Sequence, residues 1–361
     1  FSSAFETQKP DIVAFANYSW NFHISYEYAR IIKSICPDMA IVFGGPNYGL
    51  EDEEVSEFWK KYNLIDFYIV HEGEEAFAQL ADSLLANEMS PLAIKSSRVK
   101  LPNCHYAVGE EIITGPDLSR LTLEDLPSPY LMGLMDKFFD GKLSPMTQTN
   151  RGCPFSCTFC TDGSDNVQKI NRFSLERVKS DLDYIVKKIP SNTHSLYISD
   201  LNFGMYPRDK EICGYIAKMK KQYNYPLQIQ TNTGKNSKEK IIDAIKQLDG
   251  SLQILMSVQS TDSQVLANVR RDNISVDQMM ALAPTIKESN LRTLCEVIIG
   301  LPGETYESHI HTLRDLVHAR IDGIMAYTCM MLDGSEMNIP EHREKWGLQT
   351  KFRILPKDFT K

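Results

Sequence analysis

At 361 residues the chain exceeds the usual size of one compact domain and is long enough to bury two cores. Hydrophobic residues at 42% and charged residues at 24% exclude the signature of intrinsic disorder, and 39 basic against 47 acidic residues, a formal charge of -8, exclude a global positive field and disfavour nucleic acid as a partner. No run of about 18 apolar residues and no signal-peptide pattern occurs, so a cytoplasmic protein with no membrane span is the expectation.

The first residue is Phe1 and a strand pattern opens at Asp11, so we expect further sequence to precede residue 1. From Asp11, short apolar runs alternate with helical periodicity: DIVAFA (11–16), a helix over 25–35, AIVFGG (40–45), a helix over 52–61, DFYIV (66–70) and a helix over 74–85. This alternation predicts a mostly parallel sheet with helices on its faces, whose ligands sit at the carboxyl ends of the strands. The candidate site residues of this part therefore lie in Tyr18-Ser19-Trp20-Asn21, Gly44-Gly45-Pro46 and His71-Glu72-Gly73-Glu74.

Over 96–144 periodicity weakens and Pro102, Pro116, Pro127 and Pro129 punctuate a stretch that reads as a linker with a small hairpin. Strand patterns then resume at PMTQT (145–149), SLYIS (195–199), LQIQT (227–231), LQILMSV (252–258), TLCEVIIG (293–300) and GIMAYTCMM (323–331). The helices between them are amphipathic; in the first, Leu175, Val178, Leu182, Ile185 and Ile189 share a face and Ser174 stands at the N-cap. Six such units curl into a partial barrel, short of the eight that close a full one, and leave a lateral opening.

Eight cysteines are too few and too unevenly spread for a disulfide scaffold, yet Cys153, Cys157 and Cys160 fall together in RGCPFSCTFC (151–160). Thiolates suit both iron-sulfur clusters and zinc, and three unrelated buried thiols are the plain alternative. The count weighs against structural zinc, which normally takes four protein ligands, because no CxxC or HxxxH partner pair occurs elsewhere in the chain. Three thiolates on one loop can hold three irons of a cubane and leave the fourth open to a chelating ligand.

CxxxCxxC with Phe159 immediately before its third cysteine, placed after the first barrel strand, resembles the radical S-adenosylmethionine (SAM) superfamily. The resemblance implies a 4Fe-4S cluster on Cys153, Cys157 and Cys160 whose open iron binds the amino and carboxylate groups of SAM. It implies reductive cleavage of SAM to methionine and a 5'-deoxyadenosyl radical, which takes hydrogen from a substrate. An electron donor such as flavodoxin or ferredoxin and a reducing cytoplasm go with that chemistry.

The resemblance extends from Met146 to Met331. SLYISDLNFG (195–204) looks like the second-strand motif, which implies that Asp200 and Asn202 meet the SAM methionyl amine; a turn capping the next helix is the competing role for either residue. SVQS (257–260), followed by Arg270-Arg271, resembles the fourth-strand motif and implies ribose or methionyl contacts at Ser257 and Gln259, where many relatives carry Glu instead of Gln. CEVIIGLPGET (295–305) resembles the fifth-strand motif, implying that Gly300, Leu301 and Pro302 lie against adenine and that Glu296 points into the barrel. Cys295 and Cys329, on late strands, read as small buried hydrophobes, with a catalytic thiol as the alternative, and Cys36, Cys104 and Cys213 read as buried hydrophobes too.

The first part of the chain resembles the cobalamin-binding domain that precedes the barrel in a large subgroup of these enzymes. NYSWN (17–21), IVFGGPN (41–47) and HEGEEAF (71–77) look like the loops after its second, third and fourth strands, which implies cobalamin contacts at Tyr18, Ser19, Gly44, Gly45, Glu72 and Gly73. The loop that carries a cobalt-ligating histidine in many members would precede residue 1, and His23 stands in the wrong loop to replace it. The expected α/β fold is then a Rossmann-like cobalamin-binding-type domain (1–95, first strand missing), a linker (96–144), a partial (β/α)6 TIM-type barrel of the radical SAM kind (145–335) and the start of a C-terminal extension (336–361).

The function implied is cobalamin-dependent methyl transfer to an unactivated carbon of a small-molecule or biosynthetic-intermediate substrate. A rearrangement or ring formation with the same cofactors is the first alternative. A methylthiotransferase would need three further cluster cysteines in the first part, where only Cys36 and Cys104 occur. A non-catalytic metal-binding module would hold a metal without cleaving SAM.

Overall fold

The computed structural model describes residues 2–8, 10–163, 168–234, 238–288 and 291–351. It divides into two compact units, 1–121 with 332–338, and 122–331 with 339–361.

In the first unit, β1 (Ile12–Ala16), β2 (Ala40–Gly44) and β3 (Phe67–Ile69) pair in parallel in that order. Ala40, Ile41, Val42 and Phe43 are all buried, as a parallel strand covered on both faces requires. The helix Phe22–Ile35 packs Phe22, Ser25, Ala29 and Ile32 inward at three- and four-residue spacing. Asp66, at the start of β3, accepts bonds from Lys33 Nζ (2.7 Å), Lys95 Nζ (2.8 Å) and Ile41 N (2.9 Å), so this buried carboxylate is paired on every side.

The hairpin read as part of a linker instead extends this sheet. β4 (Cys104–Val108) pairs antiparallel with β3 through Tyr68↔His105 and Ile69↔Cys104, and β5 (Glu111–Thr114) closes the edge. From Leu123 onward the chain packs with the second unit: Leu123 and Tyr130 join its core, and Tyr130 Oη donates to Met146 O at 2.7 Å. The stretch 96–144 is therefore shared between the two cores rather than forming a free tether. Residues 352–361 of the expected C-terminal extension lie outside the described residues.

The second unit carries the barrel strands. β6 (Met146–Thr147) is followed by β7 (Asn150–Arg151) and β8 (Asn171–Arg172), a short antiparallel pair that brackets the cysteine loop. β9 (Ser195–Ile198), β10 (Gln228–Gln230), β11 (Ile254–Gln259), β12 (Thr293–Ile299) and β13 (Gly323–Thr328) then form two parallel three-stranded sheets, β6-β9-β10 and β11-β12-β13, joined by the bridge Ile229↔Leu252. The six parallel strands thus run in chain order, as the sequence predicts. Leu182 and Ile185 of the helix Leu175–Lys188 join Leu196 and Ile198 of β9 in the core, and Ser174 Oγ caps that helix by accepting from Arg177 N at 3.1 Å. Among the described residues no helix is long and apolar enough to cross a membrane.

Candidate cofactor site

The cysteine loop leaves β7 at the carboxyl end of the first barrel strand. Its eight cysteine-to-cysteine positions are folded by short-range bonds, Cys160 N to Cys157 O (3.1 Å) and Gly163 N to Cys160 O (3.0 Å), and are pinned to the barrel by Thr158 N to Val269 O (3.2 Å). Gly163 allows the loop to close on itself, since a Cβ there would lie 2.4 Å from Cys157 O. Cys153 and Cys157 are buried, Cys160 is half-buried, and none of the three is in a disulfide.

Two side chains from other elements donate to the sulfurs. Asn202, in the loop after β9, places Nδ2 3.4 Å from Cys153 Sγ, and Arg271 places Nη1 3.6 Å from Cys157 Sγ. Burial pushes the Arg271 guanidinium pKa down, while the three thiols of the loop pull it up. The guanidinium is aimed by Asn273, which accepts from Arg271 Nε (2.9 Å) and donates to Val258 O on β11 (2.6 Å). It also lies over the ring of Phe159, 6.0 Å from its centroid. Phe159 packs on a small cluster of Val265, Val269 and Leu301.

Several buried polar atoms around this loop have no partner: Asn202 Oδ1, Gln259 Oε1, Arg271 Nη2 and Thr158 Oγ1. Each orphaned group costs about 1–3 kcal/mol unless something completes it, and between them they comprise two amide acceptors, a hydroxyl and a cationic donor. Gln259 is further marked by a left-handed backbone, φ +67°, at an irregularity in the pairing of β11 with β12. Ser257, two residues earlier, donates to Glu296 Oε2 of β12 at 2.7 Å. Gly300 leaves β12 at φ +90°, and its N–H donates to Glu304 Oε2 (2.6 Å) while Glu304 Oε1 meets His309 Nδ1 (3.0 Å). The Glu304–His309 pair that holds this turn was absent from the sequence reading; an acidic residue four positions after a turn glycine is its only trace.

Asp200 is held by the two residues that lead into the cysteine loop. Its Oδ1 accepts from Thr149 N (2.7 Å) and Asn150 N (3.2 Å), and its Oδ2 from Thr149 Oγ1 and from Asn150 Nδ2 (2.7 Å). Burial raises its pKa and these bonds oppose the rise. With both oxygens engaged, Asp200 anchors the entry to the cysteine loop.

In the first unit the loops after β1 and β2 are knitted together. Asn17 N donates to Gly44 O (2.6 Å), Asn17 Nδ2 to Tyr68 Oη (3.0 Å), and Tyr68 Oη to Gly45 O (2.8 Å). Gly45 sits at φ +133°, and a Cβ on it would lie 2.5 Å from Asn17 O. Tyr18 stacks on Trp20, centroids 4.5 Å apart, and Trp20 is 75% exposed, a flat aromatic surface beyond the strand ends. Ser19 lies half-buried between them. Glu72 turns away from these loops: its Oε2 accepts from Leu121 N (2.9 Å) and its Oε1 faces Arg120 (3.7 Å). Gly73 opens the helix Gly73–Ala86, where a Cβ would make only ordinary contact with Ile69, 3.6 Å away.

Over residues 147–316 the chain matches the family model of the radical SAM superfamily, and over residues 1–81 that of the B12 binding domain. It carries a radical SAM domain and a B12-binding domain. This radical SAM chain is 31% identical over 353 residues to the cobalamin-dependent radical SAM methyltransferase TokK of Streptomyces tokunonensis, covering 95% of this chain and 50% of TokK. It is 30% identical over 352 residues to the 2-(S-pantetheinyl)-carbapenam-3-carboxylate methyltransferase of Streptantibioticus cattleyicolor, covering 94% of this chain and 50% of that protein. The chain thus spans about half the length of these curated relatives. Among solved structures, the radical SAM methyltransferase TsrM of Kitasatospora setae, with cobalamin and a [4Fe-4S] cluster bound, aligns with TM-score 0.67 at 13% identity over 94% of this chain and 66% of that one, which shows the fold. The donor set fits the family's cofactors: three thiols on one loop for iron, and the unpartnered Asn202 Oδ1, Gln259 Oε1 and Arg271 Nη2 as two acceptors and a cationic donor for an amino acid head group such as that of SAM.

Proposed function

We propose that the protein is a cobalamin-dependent radical SAM methyltransferase acting on an unactivated carbon of a small-molecule biosynthetic intermediate. The observation that carries this reading is the set of three cysteines on one loop after the first barrel strand, with Asn202 and Arg271 donating to two of their sulfurs while Asn202 Oδ1 and Arg271 Nη2 remain buried without partners. A B12-binding unit in the same chain and two methyltransferases among its relatives support methyl transfer over other outcomes.

In this reading Cys153, Cys157 and Cys160 hold the iron. Asn202 Oδ1 and Gln259 Oε1 accept hydrogen bonds from SAM, and Arg271 Nη2 faces its carboxylate. The Ser257–Glu296 pair takes the ribose hydroxyls. Gly300, Leu301 and Phe159 give the adenine an apolar edge, and Leu301 is itself buried. Tyr18, Trp20, Gly44 and Gly45 form the corrin face of the first unit, whereas Glu72 serves its own chain. When bound, these cofactors supply a 5'-deoxyadenosyl radical and a transferable methyl group; the protein's share is placement and exclusion of competing reactions. An electron donor of the flavodoxin or ferredoxin class and a reducing compartment such as the cytoplasm belong to the same proposal.

The test is anaerobic reconstitution with iron, sulfide and hydroxocobalamin, then dithionite and methyl-labelled SAM, with chromatography of the nucleoside products. Formation of 5'-deoxyadenosine that vanishes when all three loop cysteines become Ala is the expected result, together with label on the retained cobalamin. Deoxyadenosine without labelled cobalamin favours the rearrangement alternative. A folded protein that holds zinc and leaves SAM intact sinks both.

A further inference from the structure

We propose that residues 332–338, the strap that follows β13, back the loop that meets cobalamin, with Gly334 as the positioning residue. This rests on the cobalamin reading above. The strap belongs to the first unit, although the chain before and after it belongs to the second. Ser335 is 3% exposed and Met337 0%. The strap also folds on itself: Ser335 N (3.1 Å) and Ser335 Oγ (2.7 Å) both donate to Leu332 O, Asn338 N donates to Ser335 O (3.0 Å), and Asn338 Nδ2 donates to Asp333 Oδ1 (3.1 Å).

Gly334 sits at φ +78°, and a Cβ on it would lie 2.8 Å from Pro46 O and 3.0 Å from Tyr48 O. Strap backbone therefore lies directly on the backbone of the loop after β2, the loop whose Gly44 and Gly45 are assigned to the corrin face. That loop has little room to yield to an added methyl. Asn47 N (3.3 Å) and Asn47 Nδ2 (3.0 Å) donate to Asn17 O and Oδ1, the Tyr48 ring stacks on Tyr68 with centroids 4.0 Å apart, and Trp59 Nε1 donates to Tyr48 Oη at 3.0 Å. Asn17 holds the loop at Gly45 and Asn47, and the strap holds it at Pro46 and Tyr48. A displacement forced on Pro46 is passed to Gly45, its neighbour in the chain. The strap also continues β13, whose Met325 pairs with Glu296 of β12. One stretch of chain thus ends the sheet that carries Glu296 and backs the loop that meets cobalamin, so cobalamin that orders this loop slows the opening of the strap behind it.

The experiment measures hydroxocobalamin binding to the full chain by absorbance, and hydrogen exchange of the strap amides by mass spectrometry with and without hydroxocobalamin. Gly334→Ala adds the Cβ, and Gly334→Asn adds it on a residue that tolerates positive φ. Gly109→Ala, in the turn between β4 and β5, is the control, because Gly109 has φ +63° and no atom within 4 Å of its Cβ position. Both Gly334 variants bind at least about tenfold more weakly than the wild type, whereas Gly109→Ala binds like it. In the wild type, exchange over 332–338 slows when cobalamin binds, and in Gly334→Ala this slowing is lost. Iron content after reconstitution reports that the second unit is intact. Should Gly334→Ala fail to fold, the wild-type exchange decides alone. Wild-type affinity in Gly334→Ala or Gly334→Asn, or strap exchange in the wild type that ignores bound cobalamin, overturns the inference and leaves the proposed function standing. A folded wild type that binds no cobalamin removes the cobalamin reading and this inference together.

Discussion

Ser257 Oγ donates a 2.7 Å hydrogen bond to Glu296 Oε2 across two strands whose registers pair these same residues. The bond fixes the carboxylate on the inner face of β12, so Glu296 is the oriented partner and Ser257 the group that orients it. Replacing Glu296 with Ala should weaken SAM binding by 10- to 100-fold, since losing a charged hydrogen-bond partner costs about 1.5–3 kcal/mol. Ser257→Ala should cost about 1 kcal/mol or less. Equilibrium binding to reconstituted protein measures both, and an unchanged dissociation constant in Glu296→Ala would remove that residue from the SAM site.

Arg271 is buried beside three thiols, yet one of its nitrogens has no partner. Arg271→Met keeps the apolar stem and removes the charge; it should retain iron while binding SAM at least about tenfold more weakly, the scale of one lost charge-assisted bond. Arg271→Lys should rescue little, because a lysine cannot reach Asn273 and a ligand carboxylate with one planar fork. Full rescue by Lys would show that only the charge matters.

The parallel strands of both units were legible because alternation and helix periodicity are local signals, and Ser174 was legible as a cap for the same reason. The hairpin Cys104–Thr114 was not, because its membership of the first sheet depends on Ile69 meeting Cys104. The partners of Asp200 were not legible for a related cause: its four donors come from Thr149 and Asn150, 50 to 51 positions away. Glu72 likewise finds Leu121, 49 positions on. Arg271 stood in the motif without a role, since its burial against Cys157 spans 114 positions. Residue type and spacing located the cysteine loop; they could not say which way a carboxylate or an amide faces.

Two glycines of the first unit should answer differently to alanine. At Gly45 the new Cβ would meet the Asn17 backbone at 2.5 Å with φ at +133°, and Asn17 is itself tied to Gly44 O. Gly45→Ala should destabilise this unit by about 2–4 kcal/mol and impair cobalamin retention. At Gly73 the nearest atom is 3.6 Å away and the residue opens a helix, so Gly73→Ala should be neutral or stabilising by up to about 0.5–1 kcal/mol and should leave retention intact. Urea unfolding and corrinoid retention on gel filtration compare the two. Equal behaviour would mean that the close backbone approach at Gly45 does not constrain this loop.

Asp209 gives the barrel a pH dependence of unusual sign for a carboxylate. It is fully buried at the start of the helix Pro207–Tyr223, where Oδ2 accepts from Gly204 N (2.9 Å) and Tyr206 N (3.0 Å) while Oδ1 has no partner. Burial pushes its pKa from 3.8 up to about 6, with the neighbouring Asp200 adding to the rise and the two backbone bonds opposing it. The folded state thus binds the proton more tightly than the unfolded state. Its contribution is fully present below about pH 4 and is lost as pH rises through about 6, by about 3 kcal/mol at most. Asn at this position keeps an acceptor for both N–H groups and does not titrate. The stability gap between wild type and Asp209→Asn, read from urea midpoints, should therefore shift against the wild type between pH 4 and pH 7 and then stay flat. A gap that is constant across that range, or that moves in favour of the wild type, would mean the carboxylate is ionised in the fold and held there by its two backbone donors.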